Sequence, residues 1–189
     1  LEVIGAKKDR TLAGIYMIMV GKRKLFFADC TINVDPSPET LASIAQETAS
    51  VAKQYTTKPI RIAMLSFASF GATRSDRTHK VARAVQIIRQ QDPSLEVDGE
   101  MQADVALNAD LREQEFPFCQ LKGDPNVLIF PDLSSANISY KLLTNLSDAT
   151  PVGPILVGIN KPANILQRSA TSQEIVNMIY RTAHQAIEN

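Results

Sequence analysis

Apolar residues along the chain alternate between continuous runs and a helical stripe. Ala13–Val20 and Leu25–Ala28 are apolar, β-leaning runs around Gly21-Lys22-Arg23-Lys24, which predicts a hairpin with a charged four-residue loop. A helix start follows: Ser37 as N-cap, Pro38 at the first helical position and Glu39 in the first turn. Leu41, Ile44, Ala45 and Val51 then repeat at helical spacing to about Gln54. Ile60–Ser66 predicts a strand and Thr78–Gln91 a helix striped by Val81, Ala84, Val85 and Ile88, ended by Asp92-Pro93. Leu95–Val97 is a short strand before Asp98-Gly99, Ala103–Leu107 a helix, and Leu111–Cys119 is ambiguous. Strands at Val127–Phe130 and Val152–Val157 and helices at Ser134–Leu146 and Ser172–Ile187 complete the pattern. Strand–helix alternation of this kind predicts an α/β fold: a mainly parallel sheet flanked by helices, with the hairpin as an antiparallel edge.

Composition narrows the functional classes. Over 189 residues, twenty basic side chains balance twenty acidic ones, so no overall field draws nucleic acid or an anionic membrane. The longest apolar run, Ile15–Val20, is far short of the roughly 20 residues a membrane span needs. Cys30 and Cys119 are the only cysteines, and this usage fits a cytoplasmic protein better than a disulfide framework. His79 and His184 lie far apart without cysteine or carboxylate clusters, so no metal site is expected. The chain begins at Leu1 rather than methionine and its first residues read like the interior of a domain, so it is expected to be part of a longer polypeptide.

Three turns carry candidate chemistry. The loop 65–78 offers Ser66, Ser69, Gly71 and Thr73 with Arg74 and Arg77, a set of hydroxyls, amides and guanidinium groups suited to an anion such as phosphate. The same residue types also describe an ordinary capped βα loop. It lacks GxxxxGK[ST], which excludes a nucleotide P-loop. In 158–174, Lys161, Asn164 and Arg168 are positioned to converge on an anion, while Thr171 and Glu174 fit a capping box. Asp132, directly after a buried strand, reads as a helix cap before it reads as a catalytic acid.

Long stretches resemble the phosphotransacetylase (phosphate acetyl/butyryl transferase) family. KLFFADCTINVDPSPETLASIA looks like its strand, ADxxxNxDP turn and helix. IAMLSFASFGAT resembles its LSYSTKGS loop, VDGEMQADVAL its DGPLQADAAL, and NVLIFPDLSSANISYKLL its NVLIFPDLNAGNIGYKL. The resemblance implies two α/β subdomains with a cleft between them, and a homodimer or higher homo-oligomer. Residues 1–160 would form the second subdomain, and 161–189 the turn and helix that complete the first, whose N-terminal part is absent.

The final turn departs from the family pattern. Where members read KPVNDLSRGCS followed by an Asp, this chain keeps Lys161, Asn164 and Arg168 but has Gln167 for the Ser, Ser169-Ala170 for Gly-Cys and Glu174 for the Asp. Phe70 stands where the family has a Lys. In the family the Arg binds the phosphate or acyl group and the acid is the proposed base for the CoA thiol. These changes resemble the degenerate phosphotransacetylase-like domain at the C-terminus of NADP-dependent malic enzymes. The expectation is therefore a regulatory and oligomerising domain that senses acetyl-CoA and is not itself catalytic. NADP, a divalent metal and oxidative decarboxylation of malate to pyruvate would belong to another part of such a parent. The alternative is part of an active phosphate acyltransferase, with Glu174 as base and Arg168 as clamp. In either case acetyl-CoA or phosphate is the implied ligand, near Arg168, Lys161, Asn164, Ser66, Ser69, Gly71, Thr73 and Arg74, and no cofactor is assigned to this chain.

Overall fold

The computed structural model describes residues 3–8, 10–166, 168 and 170–188, leaving aside the side chains of Glu174, His184 and Glu188. Its elements are β1 (Ala13–Val20), β2 (Arg23–Ala28), α1 (Pro38–Lys53), β3 (Arg61–Leu65), α2 (Asp76–Gln91), β4 (Glu96–Met101), α3 (Ala103–Leu107), α4 (Ala109–Glu115), β5 (Val127–Ile129), α5 (Leu133–Leu146), β6 (Thr150–Val157) and α6 (Ser172–Glu188). The sheet order is β4-β3-β5-β2-β1-β6. Strands β4, β3, β5 and β2 are parallel, and β1 runs antiparallel to both β2 and β6. The mainly parallel α/β sheet thus agrees with the sequence pattern, except that β6 lies outside β1, so the hairpin is not itself the sheet edge.

Alternation of side chains along the buried strands divides the apolar residues between two faces. Phe26, Ile62, Met64, Val127 and Ile129 meet α1 and α2 on one side. Phe27, Ala63, Leu65, Leu128 and Phe130 meet Val105, Ala136 and Tyr140 on the other, where Tyr16 and Tyr140 stack with centroids 4.3 Å apart. The central strands have no solvated face, which is why they read as continuous apolar runs.

The start of α1 is as its sequence predicts: Ser37 caps it by accepting a hydrogen bond from the Thr40 amide, and Pro38 opens it. Two turns differ from expectation. The hairpin pairs as far as Val20 with Arg23, leaving a two-residue turn in which Gly21 takes a φ of 55°. Strand β4 does not stop at Asp98-Gly99 but continues to Met101. The Asp98 carboxylate is buried and accepts from Arg89 Nη2 at 2.6 Å and the Gln120 amide at 2.6 Å. Gly99, at a φ of 138°, lies so close to β3 that any Cβ would strike the Met64 carbonyl. The ambiguous segment Leu111–Cys119 begins inside α4, which is anchored by the buried Arg112, a donor to the carbonyls of Val105, Ala106 and Gly123. Among the described residues no helix is long and apolar enough to cross a membrane.

Candidate functional site

From β3 the chain crosses through α2 to β4 on one side, and from β5 it crosses through α5 to β6 on the other. The carboxyl ends of β3 and β5 therefore flank a point where the strand order reverses, the usual location of a ligand crevice in an open α/β sheet. A cleft of about 680 Å³ lies there, lined by Ser66, Arg77, Lys80, Asp132 and Ser135 among others. The first turns of α2 and α5 both contribute to its wall, so two helix amino ends bring their positive dipole ends to one cavity. Arg77 and Lys80 add positive charges one helical turn apart, beside the carboxylates of Asp35, Asp76 and Asp132 in the same lining. Lys80 reaches Asp35 at 2.5 Å, and this hydrogen bond holds the Asp35 carboxyl below its usual range.

Local chemistry shapes both walls. Ser75 and Thr78 cap α2 reciprocally, and Asp132 caps α5 by accepting from the Ser135 amide at 2.8 Å. Asp132 is thus an N-cap in the cleft wall. Asp29, buried at the end of β2, accepts from the amides of Gly14, Thr31, Ile32 and Asn33 and from Asn33 Nδ2. This single carboxylate organises the turn that delivers Val34 and Asp35 to the cleft.

The expected loop residues separate into distinct environments. Ser66 lines the cleft, whereas Ser69 is buried and its hydroxyl accepts from the Gln102 amide at 2.9 Å. The Gly71 amide donates to Glu100 Oε1 at 2.6 Å, and the Phe70 amide to the Glu100 carbonyl at 2.8 Å. Phe70 has a φ of 48° and packs its ring 5.0 Å from Phe116 and 5.1 Å from Phe118. Thr73 and Arg74 are exposed, and the Thr73 carbonyl accepts from the Thr78 hydroxyl.

In the last turn, Asn164 is held by structure: its Oδ1 accepts from the Leu156 amide and its Nδ2 donates to Thr182 and Gln185. Lys161 and Arg168 are exposed, and none of Lys161, Asn164 and Arg168 lines the 680 Å³ cleft. Gln167, Ser169 and the Glu174 side chain lie outside the described residues.

Sequence reasoning overlooked Asp29, Glu100 and Lys80. Lys80 had a legible signal, a cation one turn beyond Arg77 on the helix that follows the loop. Glu100 had none beyond the VDGEM run, because its partner amide is 29 positions away. Glu100→Ala, which releases the Gly71 amide, is expected to weaken ligand binding by about tenfold in a titration, since a loop displaced near 1 Å loses its alignment. An unchanged affinity would show that the loop needs no tether.

No group of three or more His, Cys, Asp or Glu among the described residues is arranged to hold a metal. Burial pushes the Cys119 thiol up to about 11, and burial followed by the nearby Asp29 charge raises Cys30 further. With so high a pKa, only about a thousandth of Cys119 is thiolate at pH 8, the reactive form. Ellman's reagent at that pH is therefore expected to label the native chain far more slowly than the urea-unfolded one; rapid labelling of native protein would contradict the burial.

The model of the family described as "Phosphate acetyl/butaryl transferase" matches residues 1–183. The chain is 40% identical over 188 residues to the phosphate acetyltransferase of Bacillus subtilis (strain 168), covering 99% of this chain and 58% of that protein. It is 39% identical over 183 residues to the NADP-dependent malic enzyme of Rhizobium meliloti (strain 1021), covering 97% of this chain but 24% of that enzyme. A crystal structure of a phosphotransacetylase from Streptococcus pyogenes superposes with a TM-score of 0.93 at 37% identity, covering 100% of this chain and 58% of that one. The chain thus spans little more than half of these transferases and a quarter of the malic enzyme.

Proposed function

The chain belongs to the phosphate acetyl/butyryl transferase family, and from that premise we propose that it forms the anion-binding half of an enzyme moving an acyl group between inorganic phosphate and CoA. The observation that carries this reading is the convergence of two helix amino ends, Arg77 and Lys80 on one cleft at the strand-order reversal. In the reaction the CoA thiolate attacks the acyl phosphate carbonyl, a thioester forms, and phosphate leaves with the bond electrons. Glu174 accepts the thiol proton, and Arg168 holds the anionic oxygens as charge develops. Phosphate and acetyl-CoA are the ligands, and no metal or redox cofactor has a role on this chain.

This reverses the order of the two sequence-based readings. Regulation of a malic enzyme came first there because the last turn looks degenerate. The Bacillus subtilis transferase matches 99% of the chain at 40% identity and the malic enzyme 97% at 39%, and the transferase match extends over more than half of that protein, which favours catalysis. The regulatory reading stands second, supported by the malic-enzyme likeness and by Phe70, whose ring is turned into an aromatic cluster where the family has a lysine.

Assembly completes the proposal. Residues 1–160 act as the second subdomain, and α6 packs on further chain that completes the first; the exposed Ile175, Val176, Ile179 and Tyr180 on α6 support this. On α5, Ile138, Leu142 and Leu146 form an exposed stripe at helical spacing that suits a second copy. Acetyl phosphate formation by the full-length protein from acetyl-CoA and phosphate is the deciding measurement. Turnover upholds the transferase. No turnover, with calorimetric binding of acetyl-CoA and an altered rate of malate oxidation, replaces it with the regulatory domain.

A further inference from the structure

The opposite edge of the sheet carries a second cavity of about 680 Å³, bounded by the amino ends of β2, β3 and β5 and the carboxyl end of α1. Lys22, Arg23 and Lys24 enter it from the hairpin, Lys53 from the last turn of α1, and Lys58 and Arg61 from the segment leading into β3. Asp124 is the one carboxylate in its lining. Since the whole chain carries as many acids as bases, this is a local accumulation of like charge.

Local acids do not neutralise it. Arg61 Nε is taken by Glu96 at 2.8 Å, and Arg23 faces Asp124 at 3.9 Å. Arg23 Nη2 is nevertheless buried with no hydrogen-bond acceptor. Lys24 donates to the Tyr55 carbonyl, at 3.1 Å. Lys22, Lys24, Lys53 and Lys58 have no carboxylate within ion-pair distance among the described residues. Lys53 offsets the carbonyl end of α1; the other three ammonium groups have no such role. The surrounding backbone is fixed, because Asn126 Oδ1 accepts from the Arg61 amide and its Nδ2 donates to the Pro59 carbonyl. Like charges held around one rigid hollow repel each other until an anion enters.

We propose that this cavity binds a small molecule carrying a chain of two or three phosphates, apart from the acyl-transfer cleft. Three ammonium groups with neither a carboxylate nor a helix end to offset them, Lys53 beside them, and a buried guanidinium nitrogen without a hydrogen-bond acceptor match a ligand of several negative charges better than a single phosphate or carboxylate. The volume lies within the roughly 300–1,000 Å³ of small-molecule sites. The proposal does not depend on which reading of the acyl-transfer cleft is correct.

Titrating the full-length protein calorimetrically with sodium tripolyphosphate at low salt tests it, with ATP and sulfate as comparators. Saturable binding of tripolyphosphate, much tighter than sulfate and weakened by added salt, is expected. The combined Lys22→Gln, Lys53→Gln and Lys58→Gln variant, whose positions are all exposed, should bind roughly tenfold more weakly while keeping its circular dichroism spectrum. ATP that matches tripolyphosphate identifies the phosphate chain as the recognised group; tighter ATP adds contacts to the nucleoside, and both uphold the site. Tripolyphosphate no tighter than sulfate, full affinity in the triple-lysine variant, or loss of binding in Arg77→Gln at the other cleft would overturn it.

Discussion

Asp29→Ala is expected to destabilise the chain by about 4 kcal/mol, because one buried carboxylate is the acceptor for a whole turn. The acid stands at the end of β2 with 3% of its surface exposed and accepts five N–H groups: the amides of Gly14, Thr31, Ile32 and Asn33, and Asn33 Nδ2. Alanine takes this acceptor from the four amides, while Asn33 Nδ2 keeps the Leu12 carbonyl at 2.8 Å, and an orphaned buried donor costs about 1–3 kcal/mol. Water admitted by the smaller side chain recovers some of this, so the total falls well below four full penalties. For a chain of this size the thermal midpoint should drop by roughly 10 °C. Asp29→Asn keeps one oxygen acceptor but turns an NH₂ toward other donors, so its loss should be intermediate. Thermal unfolding followed by circular dichroism decides it: a midpoint within about 2 °C of the parent would mean the turn is satisfied by other means. The same substitution should loosen the cleft, since Asp35 and its contact to Lys80 hang from this turn.

That turn also shows what the sequence can and cannot reveal. Elements fixed by neighbouring residues were legible. The Ser37-Pro38-Glu39 start of α1 is a local affair between a hydroxyl, an amide and a ring that fixes φ, and the helix begins where those residues place it. Asp98-Gly99 has the local chemistry of a turn, yet β4 passes through it, because Arg89 and the Gln120 amide claim the carboxylate and only a glycine fits against β3. The site divides the same way. Ser66 was identifiable as a cleft hydroxyl from its place directly after a strand. Ser69 and Asn164 have similar chemistry in sequence, but one accepts from the Gln102 amide and the other joins β6 to α6. Such partners lie many positions away, and no local pattern encodes them. Family resemblance supplied the remainder by matching whole segments, whose reason is visible only in the fold: Asp29 and Asn33 of the ADxxxNxDP turn are acceptor and donor of one network.

Arg168→Ala should give the largest functional loss, a fall of about a hundredfold or more in kcat/KM for acetyl phosphate formation. Because β6 is antiparallel to β1, and β1 to β2, β6 runs in the same direction as β3 and β5. Its carboxyl end therefore lies on the cleft edge of the sheet, and the segment bearing Arg168 starts from there. The guanidinium is exposed and pairs with no carboxylate among the described residues. A forked donor matches the paired oxygens of a phosphate, whereas an ammonium offers only a point charge. Arg168→Lys should therefore recover part of the rate, and it should recover substrate binding more fully than turnover, because the geometric demand is greatest as charge develops on the transferred group. Arg77→Ala, removing a charge beside Lys80 rather than a clamp, should act mainly on KM. If Arg168→Ala instead kept its rate within about threefold while Arg77→Ala abolished it, the anion would be gripped by α2, and the last turn would be only a connection to α6.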